Sequence, residues 1–225
     1  MRILLIEDDR EIGEGFASGL RSGGYAIDWF RDGQQGDSAL KSVRYDGIVL
    51  DLGLPDGDGL QWLRRWRAEG HTTPVVVMTA RDSDDSKIAL LDAGADDYVV
   101  KPVSVRELMA RLRSVSRRAA GRTDAVWRHG ALEYDSGARR AKWRGQPVDL
   151  TSRETALLET LLQNPTRVLS KPQLLDSLYG WEQPGDKGIE SNALEVFVHN
   201  LRRKLAPEVI RTLRGIGYAL GPPIE

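Results

Sequence analysis

The sequence predicts two domains in tandem: an α/β domain built on a five-stranded parallel sheet, then a smaller domain of short strands, three helices and a closing hairpin. Three observations lead there. At 225 residues the chain exceeds the usual single-domain size and can bury two cores. Short apolar runs alternate with amphipathic stretches through the first half. The stretch "RRAAGRTDAV" from Arg117 then loses apolar periodicity and reads as a linker, which gives domains at 1–118 and 127–225 with 119–126 between them.

In the first domain, strands are expected at 3–6, 25–30, 48–50, 75–78 and 98–100, where apolar and β-branched residues cluster. Helices are expected near 10–22, 33–43, 58–69, 84–93 and 104–118. Strict alternation of strand and helix implies a parallel sheet covered on both faces. The second domain opens with "LEYD", "RRAKWRG" and "QPVDL" as strand-like pieces and continues with helices near 152–163, 171–179 and 191–205. It closes with "RTLRG" and "YAL" around a glycine-containing turn.

Composition excludes several classes. The absence of cysteine rules out disulfides and thiolate metal sites. No basic-flanked apolar leader opens the chain and no stretch approaches eighteen apolar residues, so the expectation is a cytoplasmic protein without a membrane span. Residues 1–120 hold 17 Lys and Arg against 20 Asp and Glu, and residues 121–225 hold 15 against 13. That asymmetry is too small to announce a nucleic-acid binder, so the placement of charges has to decide.

In an open parallel sheet, chemistry collects beyond the carboxyl ends of the strands. Glu7 and Asp8 follow the first strand, Asp51 the third, Thr79 the fourth and Lys101 the fifth. Adjacent carboxylates at about 4 Å repel by roughly 4 kcal/mol at an effective dielectric near 20. A hard divalent cation such as Mg²⁺ resolves that repulsion with carboxylate, carbonyl and water ligands. Taken singly, Asp51 reads as a cap or turn residue, Thr79 as a turn hydroxyl and Lys101 as a surface lysine. The combination at four strand ends favours a site. Asp9 is expected to cap the helix from Arg10.

"EDD" after the first strand, "DLGLPDGDG", "TA" and "KP" together resemble the receiver domain of two-component response regulators, a flavodoxin-like fold, over residues 1 to about 118. The resemblance implies that Asp51 is the phospho-acceptor for a sensor histidine kinase. Asp8, Asp51 and the Gly53 carbonyl would hold Mg²⁺, with Glu7 acting through water. Lys101 and Thr79 would receive the phosphoryl oxygens, and Tyr98 would be the aromatic coupled to Thr79. The Lys101–Pro102 bond would be cis. Within the OmpR/PhoB group, homodimers form on activation through the fourth helix, fifth strand and fifth helix. Lys87, Asp96, Asp97, Glu107, Arg111 and Arg118 match the charged positions, and Ile88, Leu91 and Ala110 the apolar ones.

The second domain resembles the winged helix-turn-helix of the same group over about 127–221. On a helical wheel from Leu194, Leu194, Phe197, Val198, Leu201 and Leu205 form a stripe to be buried. Asn192, Glu195, Val196, His199 and Arg203 face away, a mixture able to read base edges in a major groove. Ser191 or Asn192 is expected to cap this helix. By family position, Asn192, Glu195, Val196, His199 and Asn200 read bases of double-stranded promoter DNA, arranged as direct repeats. Arg202 and Arg203 contact phosphate, Thr212 lies on the DNA-facing hairpin, and Arg214 enters the minor groove. "GWEQPGDKGIE" matches the loop that meets RNA polymerase, and His199 with Asn200 places the chain closest to the PmrA/QseB branch.

Other readings fit less well. The glycines of "RGIGYALG" have no helix after them and do not make a nucleotide loop. A haloacid-dehalogenase phosphatase, the enzyme alternative, would place its nucleophile in a DxD motif after the first strand, whereas Asp51 follows the third and residue 53 is glycine. An adaptor with a protein-binding output domain would lack salt-dependent DNA binding. The expectation is a transcription regulator and not an enzyme.

Overall fold

The computed structural model describes residues 1–80, 83–121, 124–181 and 192–225. Its contacts divide the chain into two compact units, chiefly Arg2–Thr123 and Asp124–Glu225.

The first unit runs β1 (Arg2–Ile6), α1 (Arg10–Ser22), β2 (Ala26–Phe30), α2 (Gly33–Ser42), β3 (Gly47–Asp51), the short pair β4 (Gly53–Leu54) and β5 (Gly57–Asp58), α3 (Gly59–Ala68), β6 (Val75–Thr79), α4 (Asp84–Asp92), β7 (Asp97–Val100) and α5 (Val105–Ala119). The sheet has the order β2-β1-β3-β6-β7, so the strand order reverses beside β1. Parallel registers pair Leu5 with Val49, Leu50 with Val77, and Thr79 with Val100. β1, β3 and β6 are buried at every residue, as continuous apolar runs covered on both faces must be. Helices supply the cover through single faces: Phe16, Ala17 and Leu20 of α1, and Leu108, Leu112 and Val115 of α5.

Polar side chains fix where the helices begin. Asp9 accepts from Ile12 N at 2.9 Å, as expected, and Ser104 accepts from Glu107 N at 3.1 Å. Asp32 caps α2 from within, while Asp56, from the turn between β4 and β5, accepts from Gly33 N and Gln34 N at 3.0 and 2.8 Å. The "GLPDGDG" stretch forms a small antiparallel hairpin, so Asp58, where the helix was expected to begin, ends a strand and α3 starts at Gly59. The hairpin's reach to α2 depends on a partner 22 residues away, which local composition cannot reveal.

The second unit contains β8 (Val126–His129), β9 (Leu132–Asp135), β10 (Arg140–Trp143), β11 (Gln146–Val148), α6 (Ser152–Gln163), α7 (Lys171–Tyr179), α8 (Ala193–Lys204), a short 3-10 helix (Pro207–Val209) and the hairpin β12 (Ile210–Leu213) and β13 (Gly217–Leu220). The sheet has four strands in the order β11-β10-β9-β8. β8 was not expected: four residues give too little alternation, and the strand is specified by pairing, with Trp127 opposite Tyr134. Leu157, Leu158, Leu161 and Leu162 are core, in one cluster with Leu174, Leu178, Leu194 and Leu201. Capping boxes start α6 at Thr151 and α7 at Ser170.

Two buried acids stabilise this unit. Glu159 accepts from Tyr134 Oη at 2.6 Å and pairs with Arg139 Nη2 at 2.8 Å. Glu154 closes the capping box with Thr151 and pairs with Lys204 Nζ at 2.7 Å. Burial works against the Glu154 carboxylate, but the bonds from Lys204 and Thr151 hold it below its ordinary range. An acid with a lowered folded pKa stabilises above its unfolded value and loses that contribution as pH falls through the folded one. Lys204→Met is therefore expected to cost about 1–3 kcal/mol at neutral pH. The deficit should shrink as pH drops below the ordinary carboxylate range, which urea melts at several pH values would show.

Candidate functional site

At the carboxyl edge of the parallel sheet, β1, β3, β6 and β7 deliver their terminal residues to one place. Glu7, Asp8 and Asp51 present oxygens that all lie within 4.8 Å of one another. Lys101 Nζ bridges two of these acids, at 2.8 Å from Glu7 Oε2 and 2.9 Å from Asp51 Oδ1. Thr79 ends β6 nearly fully buried, and Lys101 N donates to its carbonyl at 2.8 Å. The Lys101–Pro102 bond is cis.

The electrostatics follow from burial. Loss of solvent and the nearby Asp51 charge push the Glu7 carboxyl up, and Lys101 offsets only part of that. Burial opposes the Lys101 ammonium, but its hydrogen bonds to Glu7 and Asp51 raise it above the ordinary lysine value. Three acids against one ammonium leave an excess of negative charge. Glu7 Oε1 is buried and has no hydrogen-bond partner among the described residues. An unsatisfied carboxylate oxygen in a cluster of hard donors is the environment a small divalent cation completes.

Two glycines shape the approach. A Cβ on Gly59 would stand 2.2 Å from the Asp51 carbonyl, so only glycine lets α3 start against that strand end. A Cβ on Gly53 would meet only Asp51 Oδ2, at 3.4 Å, which leaves the face of the carboxylate uncovered by any side chain from that position. Tyr98, on β7, is half-buried against the core.

The α4–β7–α5 surface carries Ile88 and Leu91 at 57% and 52% exposure, with Ala110 also exposed. Its charges are engaged within the chain. Arg111 pairs with Asp97 at 3.1 Å and Glu107 at 2.8 Å; Asp96 pairs with Arg67 at 2.8 Å and also accepts from Val75 N. Arg118 donates to the Asp96 carbonyl, and Lys87 lies 3.8 Å from Asp84.

In the second unit, α8 buries Leu194, Val198 and Leu201, with Leu205 buried just past its end and Phe197 half-buried. Asn192, Glu195, Val196, His199 and Arg203 are exposed on the opposite side, and Asn200 is intermediate. Asn192 occupies the cap position but makes no side-chain cap bond. Ser191 lies outside the described residues, as does nearly all of the 180–190 stretch matched to the polymerase-facing loop. Arg202, matched to phosphate, donates through Nε and Nη2 to Ile210 O and through Nη2 to Thr212 Oγ1 at 2.7 Å, so it joins α8 to β12. Lys171, which sequence reasoning passed over, pairs with Glu195 at 2.8 Å and joins α7 to α8. Arg214 and Thr212 are exposed on the hairpin.

Sequence reasoning also missed Trp29 and Arg31, whose side chains reach the backbone of the acidic loop; the "WFRD" that ends β2 points at the same sheet edge and carried the signal.

Comparison with known proteins adds to this geometry. Residues 3–113 match the family described as "Response regulator receiver domain", and residues 145–220 match "Transcriptional regulatory protein, C terminal". The chain is 47% identical over 221 residues to the transcriptional regulatory protein QseB of Escherichia coli O157:H7, covering 98% of this chain and 99% of that one. It is 48% identical over 223 residues to the response regulator protein PmrA of Pseudomonas aeruginosa, covering 99% of each. Among solved structures, a Francisella response regulator 1452 receiver domain matches at 32% identity with a TM-score of 0.51, over 52% of this chain and 97% of that one. No helix among the described residues is long and apolar enough to cross a membrane.

Proposed function

Because the chain belongs to the OmpR/PhoB family of two-component response regulators, in its PmrA/QseB branch, we propose that it is a DNA-binding transcription regulator activated by phosphorylation of Asp51. The observation that carries this reading is the bridge from Glu7 through Lys101 to Asp51 at the edge of a parallel sheet, in a chain that also presents the exposed α8 face. Residues 1–118 act as the phospho-acceptor domain, 119–126 as linker and 127–225 as the DNA-binding domain. The relative QseB is by its name a transcriptional regulatory protein, which supports reading this chain as a stoichiometric phosphoryl acceptor and not a turnover enzyme.

The Asp51 carboxylate attacks the phosphorus of a kinase phosphohistidine; a P–O bond forms, the P–N bond breaks, and the imidazole leaves. Glu7, Asp8, Asp51 and the Gly53 carbonyl would hold Mg²⁺, which supplies charge neutralisation for the transferring group. Lys101 donates to a phosphoryl oxygen as its bond to Asp51 is replaced, and the Thr79 hydroxyl turns to another while Tyr98 follows inward. The altered α4–β7–α5 surface then pairs with a second copy. Because Asp97, Glu107 and Arg111 are already bonded in one chain, dimerisation proceeds by exchange of partners around Ile88, Leu91 and Ala110. The dimer binds direct repeats in promoter DNA in the cytoplasm. Asn192, Glu195, Val196, His199 and Asn200 face bases, and Arg203 faces phosphate. Thr212 stands beside Arg214, which enters the minor groove. RNA polymerase is met by the 180–190 segment.

Treatment with acetyl phosphate and Mg²⁺ tests the reading. One acyl phosphate per chain at Asp51, found by mass spectrometry and accompanied by tighter footprints on direct repeats, is the expected result. A phosphoryl group located elsewhere would overturn it.

A further inference from the structure

Two consecutive carbonyls of the acidic loop are held from outside by side chains that phosphoryl transfer does not use. Trp29 Nε1 donates to the Glu7 carbonyl at 2.9 Å. Arg31 donates through Nε and Nη2 to the Asp8 carbonyl, at 3.0 and 2.8 Å. Glu7 N donates to Phe30 O at 3.1 Å, the last backbone rung there between the first two strands. In a continued parallel ladder the Glu7 carbonyl would accept the next amide of the neighbouring strand. β2 ends at Phe30 and the chain turns into α2, so the indole takes that place.

The indole itself has no freedom to move toward α1. A Cβ added to Gly13 would lie 2.2 Å from its ring, so the helix backbone rests directly against it. The consequence reaches the carboxylates. Glu7 and Asp8 repel each other and Asp51, and a loose loop would relieve that repulsion by swinging outward. With the Glu7 carbonyl held from β2 and the Asp8 carbonyl from Arg31 just after it, the loop is restrained against swinging outward, and Glu7 Oε1 remains buried without a partner among the described residues.

We infer that Trp29 and Arg31 are positioning residues of the divalent-cation site, holding Glu7 and Asp8 in place through their backbone before the ion arrives. The inference rests on the cation reading given under the proposed function. It also has a distinguishing sign. By charge alone, removing the Arg31 guanidinium from the neighbourhood of a cation site tightens cation binding. If Arg31 acts by holding the Asp8 carbonyl, removing it loosens the donor set and weakens binding.

The test uses the full chain and Mg²⁺ alone, with affinity read by calorimetry and by the Mg²⁺-dependent shift in unfolding temperature. Trp29→Phe deletes the indole N–H and keeps an aromatic ring against Gly13; Arg31→Gln changes an exposed residue. Each is expected to raise the Mg²⁺ Kd about 3- to 10-fold, with the double variant weaker still. A purely structural clamp would lower the metal-free unfolding temperature and leave the Kd unchanged. A Kd within twofold of wild type in both single variants, or tighter binding in Arg31→Gln, overturns the inference and leaves the cation reading standing. A wild-type chain indifferent to Mg²⁺, or an Asp8→Asn chain that binds it equally well, overturns both.

Discussion

Asp51→Asn is expected to abolish phosphoryl incorporation from acetyl phosphate or a kinase, leaving no label above background. The amide has no anionic oxygen to attack phosphorus, and no other carboxylate occupies its position at the end of β3. Lys101 keeps its 2.8 Å bond to Glu7, so the pocket retains its internal bridge and the fold should persist, with unchanged circular dichroism. Basal DNA affinity should also persist, while the gain in affinity on treatment with phosphodonor disappears. Undiminished labelling of the Asp51→Asn chain would place the acceptor elsewhere.

Glu159→Ala is expected to destabilise the second domain strongly. Glu159 is almost fully buried and serves the Tyr134 hydroxyl and the Arg139 guanidinium together. Burial first, and then the Glu159 charge, push the Tyr134 phenol far up, so it stays a donor at any working pH. Removing the acid leaves a hydroxyl without its acceptor and a largely buried cation without its counter-charge. Loss of one member of such a pair costs about 3–5 kcal/mol, set against a typical domain stability of about 5–15 kcal/mol. Glu159→Gln, which keeps an acceptor for Tyr134 but not the charge, should fall between the two. Hydrogen exchange at the α6 amides of Leu157 and Leu158 reports this locally, without assuming that two domains unfold as one. Protection in Glu159→Ala equal to wild type would mean that the network contributes nothing net.

The acidic pocket could be read from sequence because sheet topology does the gathering. Glu7 with Asp8, then Asp51, Thr79 and Lys101 come from four separate stretches of the chain, yet each stretch ends an apolar run, and parallel strands bring their carboxyl ends to one edge. The α8 face was legible for a similar reason, since one helical period sorts Leu194, Val198 and Leu201 from Asn192, Glu195 and His199. Features set by a single distant partner were not. β8 exists through its pairing with β9, and the Asp56 cap depends on where α2 happens to begin. The partners of the surface charges were the hardest to assign. Glu107 and Arg111 stand four apart on one helix, a spacing that does favour pairing within the chain, but the bond from Arg111 to Asp97 needed the strand beside it. Phe197 belonged to the apolar stripe by angle alone and sits at its half-buried margin.

Arg202 ties β12 to α8 through Ile210 and Thr212, and on the other side of the hairpin Leu169 and Tyr218 exchange backbone hydrogen bonds at 2.8 and 2.9 Å. Helix and hairpin therefore form a gauge of fixed span, like the jaws of a caliper. If α8 and the hairpin meet a duplex as proposed above, that span would have to match the distance between adjacent grooves. Sequences whose local twist and groove width already fit the span would then bind with less deformation cost than stiff sequences of another width, even where the contacted bases are the same.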